Sequence, residues 1–136
     1  MEDRELTEQV IGCAMKVHRV LGPGFLESVY KNALLFELAR AGFQALSEQR
    51  LTVGYEGVVV GEFVADLFVE GRLIVELKAN AALTKADEVQ TVNYLAATGN
   101  EFGLLINFGA SSLEFRRKYR KAAEPFPNPV NPVNPV

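Results

Sequence analysis

The chain has no tryptophan, a single cysteine (Cys13) and, before its last dozen residues, a single proline (Pro23). One cysteine excludes an internal disulfide and a Cys-rich zinc site, and Cys13 reads as a buried, inert thiol. No apolar run approaches the roughly 18 residues that span a bilayer, which excludes a membrane partner of that kind. The first residues, Met1-Glu2-Asp3-Arg4-Glu5, are acidic where a signal peptide would be basic, so the expected location is cytoplasmic. Excess positive charge is also missing: the net charge is −3, which excludes coating nucleic acid by bulk attraction, an affinity that rests on Lys and Arg neutralising phosphates.

What is present fits one globular domain. The 136 residues are about half apolar and a quarter charged, enough to bury roughly two-thirds of the surface that the unfolded chain exposes. The charge is uneven. Five of the fourteen basic residues are Arg116, Arg117, Lys118, Arg120 and Lys121, and the chain before them carries an acidic excess. The pattern is read either as a patch for the nucleic-acid backbone or as a charged edge strand that resists aggregation.

Between Arg4 and Leu21 apolar residues recur every three or four positions (Leu6, Val10, Ala14, Val17, Leu21), which predicts a helix with one buried face. His18 lies beside that stripe near the helix end, where packing or the helix dipole explains it. Gly22-Pro23-Gly24 interrupts the pattern, and a second helix is predicted from about Phe25 to Arg40, stopped by Gly42. From Gln49 to Ala79 alternation and β-branched residues predict an antiparallel meander of about three strands, reversing at Glu56-Gly57 and Glu70-Gly71-Arg72. Thr84 and Asp87 form a capping-box pattern ahead of a helix from Lys85 to Ala97, which Gly99 ends. Phe102 to Phe108 reads as a buried strand and Leu113 to Tyr119 as one near the sheet edge. The expected fold is therefore α/β of the α+β type, a mixed central sheet flanked by helices in the order ααβββαββ. Residues 1–122 form the domain. Residues 123–136, with three Asn-Pro-Val repeats, form an expected disordered tail, because proline neither continues a helix nor pairs in a sheet.

The chemistry concentrates in two apolar strands. Asp66 follows Phe63-Val64-Ala65, and Glu76 and Lys78 stand in Ile74-Val75-Glu76-Leu77-Lys78. Charged groups in such strands cost several kcal/mol each to bury, in order of magnitude, unless they pair or hold a metal. Glu76 and Lys78 are two residues apart and share a face. Two carboxylates offer hard oxygen ligands for Mg²⁺ or Mn²⁺, and a neighbouring lysine stabilises charge, a grouping suited to phosphodiester hydrolysis. A structural ion-pair network is the alternative for the same residues. The register decides whether the site exists. A two-residue turn at Glu70-Gly71 would set Asp66 opposite Val75 and part the carboxylates, whereas a three-residue reversal or a bulge sets Asp66 opposite Glu76.

Gly24-Phe25-Leu26-Glu27-Ser28-Val29-Tyr30 resembles the motif of a small bacterial and archaeal family named GxxExxY, which belongs by similarity to the PD-(D/E)XK nuclease superfamily. The resemblance extends over about residues 5 to 110, through Val17-His18-Arg19, Leu21-Gly22-Pro23-Gly24, Ala65-Asp66-Leu67, Val75-Glu76-Leu77-Lys78 and Leu104-Leu105-Ile106-Asn107-Phe108. Ala65 stands where the superfamily name has proline. The resemblance implies a restriction-endonuclease-like core, with Glu27 as a further acidic residue at the metal site beside Asp66 and Glu76. It also implies that Gln90 and Tyr94 match the Gln-x-x-x-Tyr element of the exonuclease branch. Other readings of these three are a surface pair of Glu27 with Lys31, a polar surface position for Gln90 and core packing for Tyr94.

The function expected from the sequence is a Mg²⁺- or Mn²⁺-dependent nuclease, with DNA as the expected partner and substrate. Asp66, Glu76 and Glu27 are its expected ligands and Lys78 its charge stabiliser. The alternative is a nucleic-acid-binding or oligomeric module that keeps the fold without turnover; assembly as a homo-oligomer is open in either case.

Overall fold

The computed structural model describes residues 1–120. The expected tail, the predicted domain end at residue 122 and Lys121 lie outside the described residues. Within them the elements follow the predicted order. Helix α1 (Asp3–Leu21) begins in a capping box between Glu2 and Glu5, and its apolar stripe, Leu6, Val10, Ile11, Ala14 and Val17, is buried. Helix α2 (Glu27–Arg40) follows. It starts two residues later than the sequence predicts, because Leu26 is extended and the Phe25 N–H donates to the Tyr30 hydroxyl, 3.1 Å away.

Strand β1 (Ala45–Tyr55) starts four residues before the predicted Gln49. Ala45, Leu46 and Ser47 pair with Val69, Phe68 and Leu67, a contact that local propensity does not reveal. Strand β2 (Val58–Val69) is continuous. Strand β3 (Leu73–Lys78), helix α3 (Lys85–Thr98), strand β4 (Phe102–Asn107) and strand β5 (Glu114–Tyr119) complete the domain. The predicted box forms at α3, with Thr84 and Asp87 each accepting the other's backbone N–H, and Gly99 ends that helix in the left-handed conformation.

The five strands lie in the order β1-β2-β3-β4-β5, antiparallel except for β3 and β4, which run parallel through the α3 crossover. This is an α+β fold with a mixed sheet flanked by helices. All six residues of β4 are buried, which explains its unbroken apolar run: a central strand covered on both faces has no position for a solvated side chain. β5 is an edge strand, so its charged composition sits where a sheet needs protection from further pairing.

The sheet packs on two unequal cores. Leu67, Val69, Leu73, Val75, Leu77, Phe102, Leu104 and Ile106 join α1 and α2 in the larger one. Phe63, Ala65, Ile74 and Leu95, with Tyr94 and Phe68 against them, form a smaller one under α3. Each fully buried Leu, Ile or Phe contributes about 1.5–3 kcal/mol, so the larger core dominates stability. Same-parity residues of a regular strand share a face. Yet Leu67 and Val69 enter the larger core, while Phe63 and Ala65 enter the smaller one. The β1–β2 hairpin therefore rolls over at Asp66, where the opposing Glu48 has left-handed backbone (φ 54°) and drops out of the pairing between Ser47↔Leu67 and Gln49↔Ala65.

Candidate active site

The reversal between β2 and β3 settles the register. Glu70 (φ 54°) and Gly71 (φ 67°) are both left-handed, and the Arg72 N–H closes the turn on Val69 O at 3.1 Å. Arg72 is then an extra residue, and the ladder runs Val69↔Leu73, Phe68↔Ile74, Leu67↔Val75. This is the three-residue reversal; at Glu56-Gly57, by contrast, Tyr55 pairs directly with Val58 across a two-residue turn.

The β2–β3 ladder stops at Leu67↔Val75, and the next step of the same register brings Asp66 to Glu76. Here side chains replace the ladder. The Asp66 N–H donates to Glu76 Oε2 at 3.2 Å, and the Leu77 N–H donates to Asp66 Oδ2 at 2.8 Å. Two backbone donors at a splitting sheet would otherwise be orphaned, and the carboxylates satisfy them. Each carboxylate thereby uses one oxygen, Oδ2 of Asp66 or Oε2 of Glu76, on a backbone N–H of the facing strand.

Glu76 is mostly buried and its carboxyl group is pushed up to about 8. Desolvation is the main cause and the nearby Asp66 carboxylate the next; the Asp66 N–H and the Lys78 ammonium oppose them. Glu27, the first residue of α2, is also raised, by desolvation, then by Asp66, against the pull of Lys78 and Lys31. These mutual influences bring Asp66, Glu76, Glu27 and Lys78 into one electrostatic unit. Lys78 is half-buried and its ammonium stands 4.0 Å from Asp87, at the start of α3.

The Gly24–Tyr30 segment delivers Glu27. Gly24 has φ 111°, and the fully buried Tyr30 donates its hydroxyl hydrogen to Gly22 O while accepting from Phe25 N. Its ring stacks on Phe108, centroids 4.7 Å apart at 7°. The loop before α2 is thus tied to the sheet one turn after Glu27. His18, buried, has Nε2 2.9 Å from Ala110 O and its ring near Phe108, so its place is in packing. Cys13 is half-buried rather than buried, and burial raises its thiol above the ordinary value, which keeps it protonated and unreactive.

The remaining predicted residues are dispersed. Tyr94 stacks on Phe63 with centroids 3.8 Å apart, as a packing residue of the smaller core. Gln90 is exposed on α3. The basic residues of β5, and Arg120 just after it, find partners within the chain. Lys118 meets Glu88 at 2.6 Å and Arg116 meets it at 3.7 Å, Arg120 pairs with Glu101, and Arg117 Nε donates to Thr7 Oγ1.

Sequence reasoning assigned no site role to Lys31 or Glu48. They form an ion pair at 2.6 Å and line, with Glu27, Ser28, Asp66 and Leu77, a cavity of about 280 Å³. Lys31 thus leaves its i+4 neighbour Glu27 for a residue across the cavity. A signal for Lys31 exists in the sequence, one helical turn beyond Glu27; Glu48 has none, because its place depends on the hairpin roll. The second unassigned group supports the chain leaving Lys78. Buried Asn107 accepts from Asn80 N and Gly109 N and donates to Asn80 O and Glu114 Oε1, which also accepts from Leu83 N. A Cβ on Gly109 would lie 2.3 Å from Asn80 O, so only glycine permits that approach.

Carboxylate oxygens are the donors that a divalent cation of the Mg²⁺ class takes, and such a cation would relieve the repulsion by Asp66 that adds to desolvation in raising Glu76. Among the described residues no three His, Cys, Asp or Glu side chains stand already grouped as a metal cage. No helix among the described residues is long and apolar enough to cross a membrane.

The family model of the PD-(D/E)XK nuclease superfamily matches residues 4–118. No curated protein matches the chain. Among solved structures, one titled "Crystal structure of SSO0001" is similar at 18% identity and a TM-score of 0.45, over 83% of this chain and 67% of that one.

Proposed function

The chain belongs to the PD-(D/E)XK nuclease superfamily, and we propose that it hydrolyses phosphodiester bonds of nucleic acid, DNA in the first instance, at the split between β2 and β3. Nucleases of this superfamily generally use divalent metals. The observation that carries the reading is the meeting of Asp66 and Glu76 where the ladder ends, each with one carboxylate oxygen tied to a backbone N–H of the facing strand.

We assign Asp66 and Glu76 as ligands and Glu27 as the third carboxylate, brought in from α2; Mg²⁺ or Mn²⁺ fits this all-oxygen set. Such an ion, when bound, polarises the phosphate and lowers the pKa of a water ligand. The backbone bonds at Asp66 and Leu77 hold the two carboxylates in place. Lys78, which shares the Glu76 face, supplies positive charge to the phosphate. Reaching it requires loosening the 4.0 Å contact with Asp87, which an entering anion favours. Gln90 and Tyr94 are a proposed second tier on α3. Arg116, Arg117 and Lys118 of β5, with Arg120 and Lys121 after it, are proposed backbone contacts that a nucleic acid gains only by displacing Glu88 and Glu101. The Gly24–Tyr30 segment supports placing the chain in the GxxExxY branch.

One observation favours a second reading. Both carboxylates already satisfy backbone donors without any metal, so the same residues also suit a nucleic-acid-binding module without turnover. A cleavage panel of linear, circular and single-stranded DNA and of RNA, with and without Mg²⁺ or Mn²⁺, decides between them. The nuclease reading expects metal-dependent cleavage of at least one substrate. Binding that a chelator leaves unchanged, with no cleavage of any substrate, supports the module.

A further inference from the structure

The cavity beside the paired carboxylates has a charge problem that its own residues solve. Its lining contains three carboxylates, Glu27, Glu48 and Asp66, and one ammonium, Lys31. A phosphodiester strand approaching this wall meets repulsion from its excess of carboxylates. The cation in the lining is held in an unusual way. The Lys31 side chain is only 15% exposed, yet its partner Glu48 is 65% exposed. Glu48 stands at the left-handed position of β1 and lines the same cavity. Glu27, one helical turn from Lys31, is passed over. An ion pair with one solvated member exchanges readily, since the carboxylate regains water when its partner leaves.

Building on the nuclease reading, we propose that Lys31 is a substrate-binding residue whose ammonium passes from Glu48 to a backbone phosphate oxygen of the nucleic-acid strand. Glu48 is the stand-in anion that keeps Lys31 extended into the cavity until that phosphate arrives. The pair then sets affinity and orientation at the carboxylate site, while Lys78, on the β3 side, acts on the reacting phosphate.

The test is a salt titration of binding, with the full chain, fluorescent single-stranded and duplex DNA oligonucleotides, and Ca²⁺ in place of Mg²⁺. Loss of one phosphate contact lowers the slope of log affinity against log salt by about 0.7 to 0.9. Lys31→Met is expected to show that loss and to bind about tenfold more weakly, and Lys31→Arg to recover most of both. Glu48→Gln is expected to bind several-fold more tightly, and that gain should shrink when Lys31 is already Met. Arg50→Gln removes a cation from the exposed Arg50–Glu62 pair on the hairpin and should leave the slope unchanged. The assignment is overturned if Lys31→Met keeps the wild-type affinity and slope, if Arg50→Gln loses as much, or if Glu48→Gln weakens binding in parallel with Lys31→Met, as a purely structural pair would. Wild type that cleaves while Lys31→Met binds normally sinks this inference alone; wild type that neither binds nor cleaves sinks the nuclease reading with it.

Discussion

At the scale of single residues, Glu76 couples the site to pH. Its carboxyl group titrates near 8 in the folded protein against an ordinary value of 4.5, so between those values the native state holds a proton that the unfolded chain has released. Stability therefore falls as pH rises from about 4.5 to about 8, and the contribution is fully present only below that window. Denaturant unfolding of metal-free protein should show this slope, and Glu76→Gln should flatten it and exceed wild type in stability at pH 8. A slope identical in the two proteins would mean that Glu76 is not the group responsible. Asp66 behaves differently on removal. Its Oδ2 accepts the Leu77 N–H, so Asp66→Ala relieves repulsion but orphans a backbone donor, at a cost of about 1–3 kcal/mol. Metal-free Asp66→Ala should consequently be no more stable than wild type, whereas Glu76→Gln gains.

The residues of the site were legible unequally. Asp66, Glu76 and Lys78 stand out because charge inside apolar strands is costly and needs a reason. Glu27 emerged only through its resemblance-borne motif, since nothing in the periodicity of α2 separates it from a surface glutamate. Glu48 was not legible at all, because a left-handed residue in mid-strand answers to the pairing of β1 with a rolled β2, a long-range matter.

At the scale of elements, the segment around Gly24 and Tyr30 and the chain after Lys78 position the groups on either side of the split. Tyr30→Phe keeps the ring stacked on Phe108 but removes both hydroxyl bonds, to Gly22 O and from Phe25 N. A loss of about 1–3 kcal/mol is expected in thermal or chemical unfolding, with activity falling further than stability because Glu27 is released from its place. Equal unfolding midpoints would show that the loop holds by other means. Gly109→Ala forces Asn80 and Ala79 backbone away from a Cβ that has no room. It should destabilise by about 1–3 kcal/mol and lower turnover through Lys78, the residue just before the displaced chain. Element order and most boundaries followed from periodicity, caps and turns. The early start of β1 and the late start of α2 did not, since one depends on pairing with β2 and the other on the Tyr30 hydroxyl. The register at Glu70-Gly71-Arg72 stood open between two turns of equal local merit. It was fixed by Val69↔Leu73, which keeps Val69 and Leu73 in the larger core.

At the scale of the molecule, the fold is a sheet anchored on one face by α1 and α2 and more thinly covered on the other by α3, with the carboxylates where β2 parts from β3. A ligand that binds only the native state stabilises it by mass action, by about 2.7 kcal/mol at a hundred times its dissociation constant. Millimolar Mg²⁺ or Mn²⁺ should accordingly raise the melting temperature of wild type and leave Asp66→Asn nearly unchanged.

The opening between β2 and β3 is assigned as a cation site, and calorimetric titration of the protein with Mn²⁺ in buffers of different ionisation enthalpy tests this assignment directly. Wild type near pH 7 should bind the ion and release up to one proton as Glu76 ionises, while Asp66→Asn and Glu76→Gln lose most of the affinity and Glu76→Gln loses the proton as well. Mn²⁺ that fails to bind wild type at millimolar concentration, or binds both variants as tightly as wild type, would contradict it.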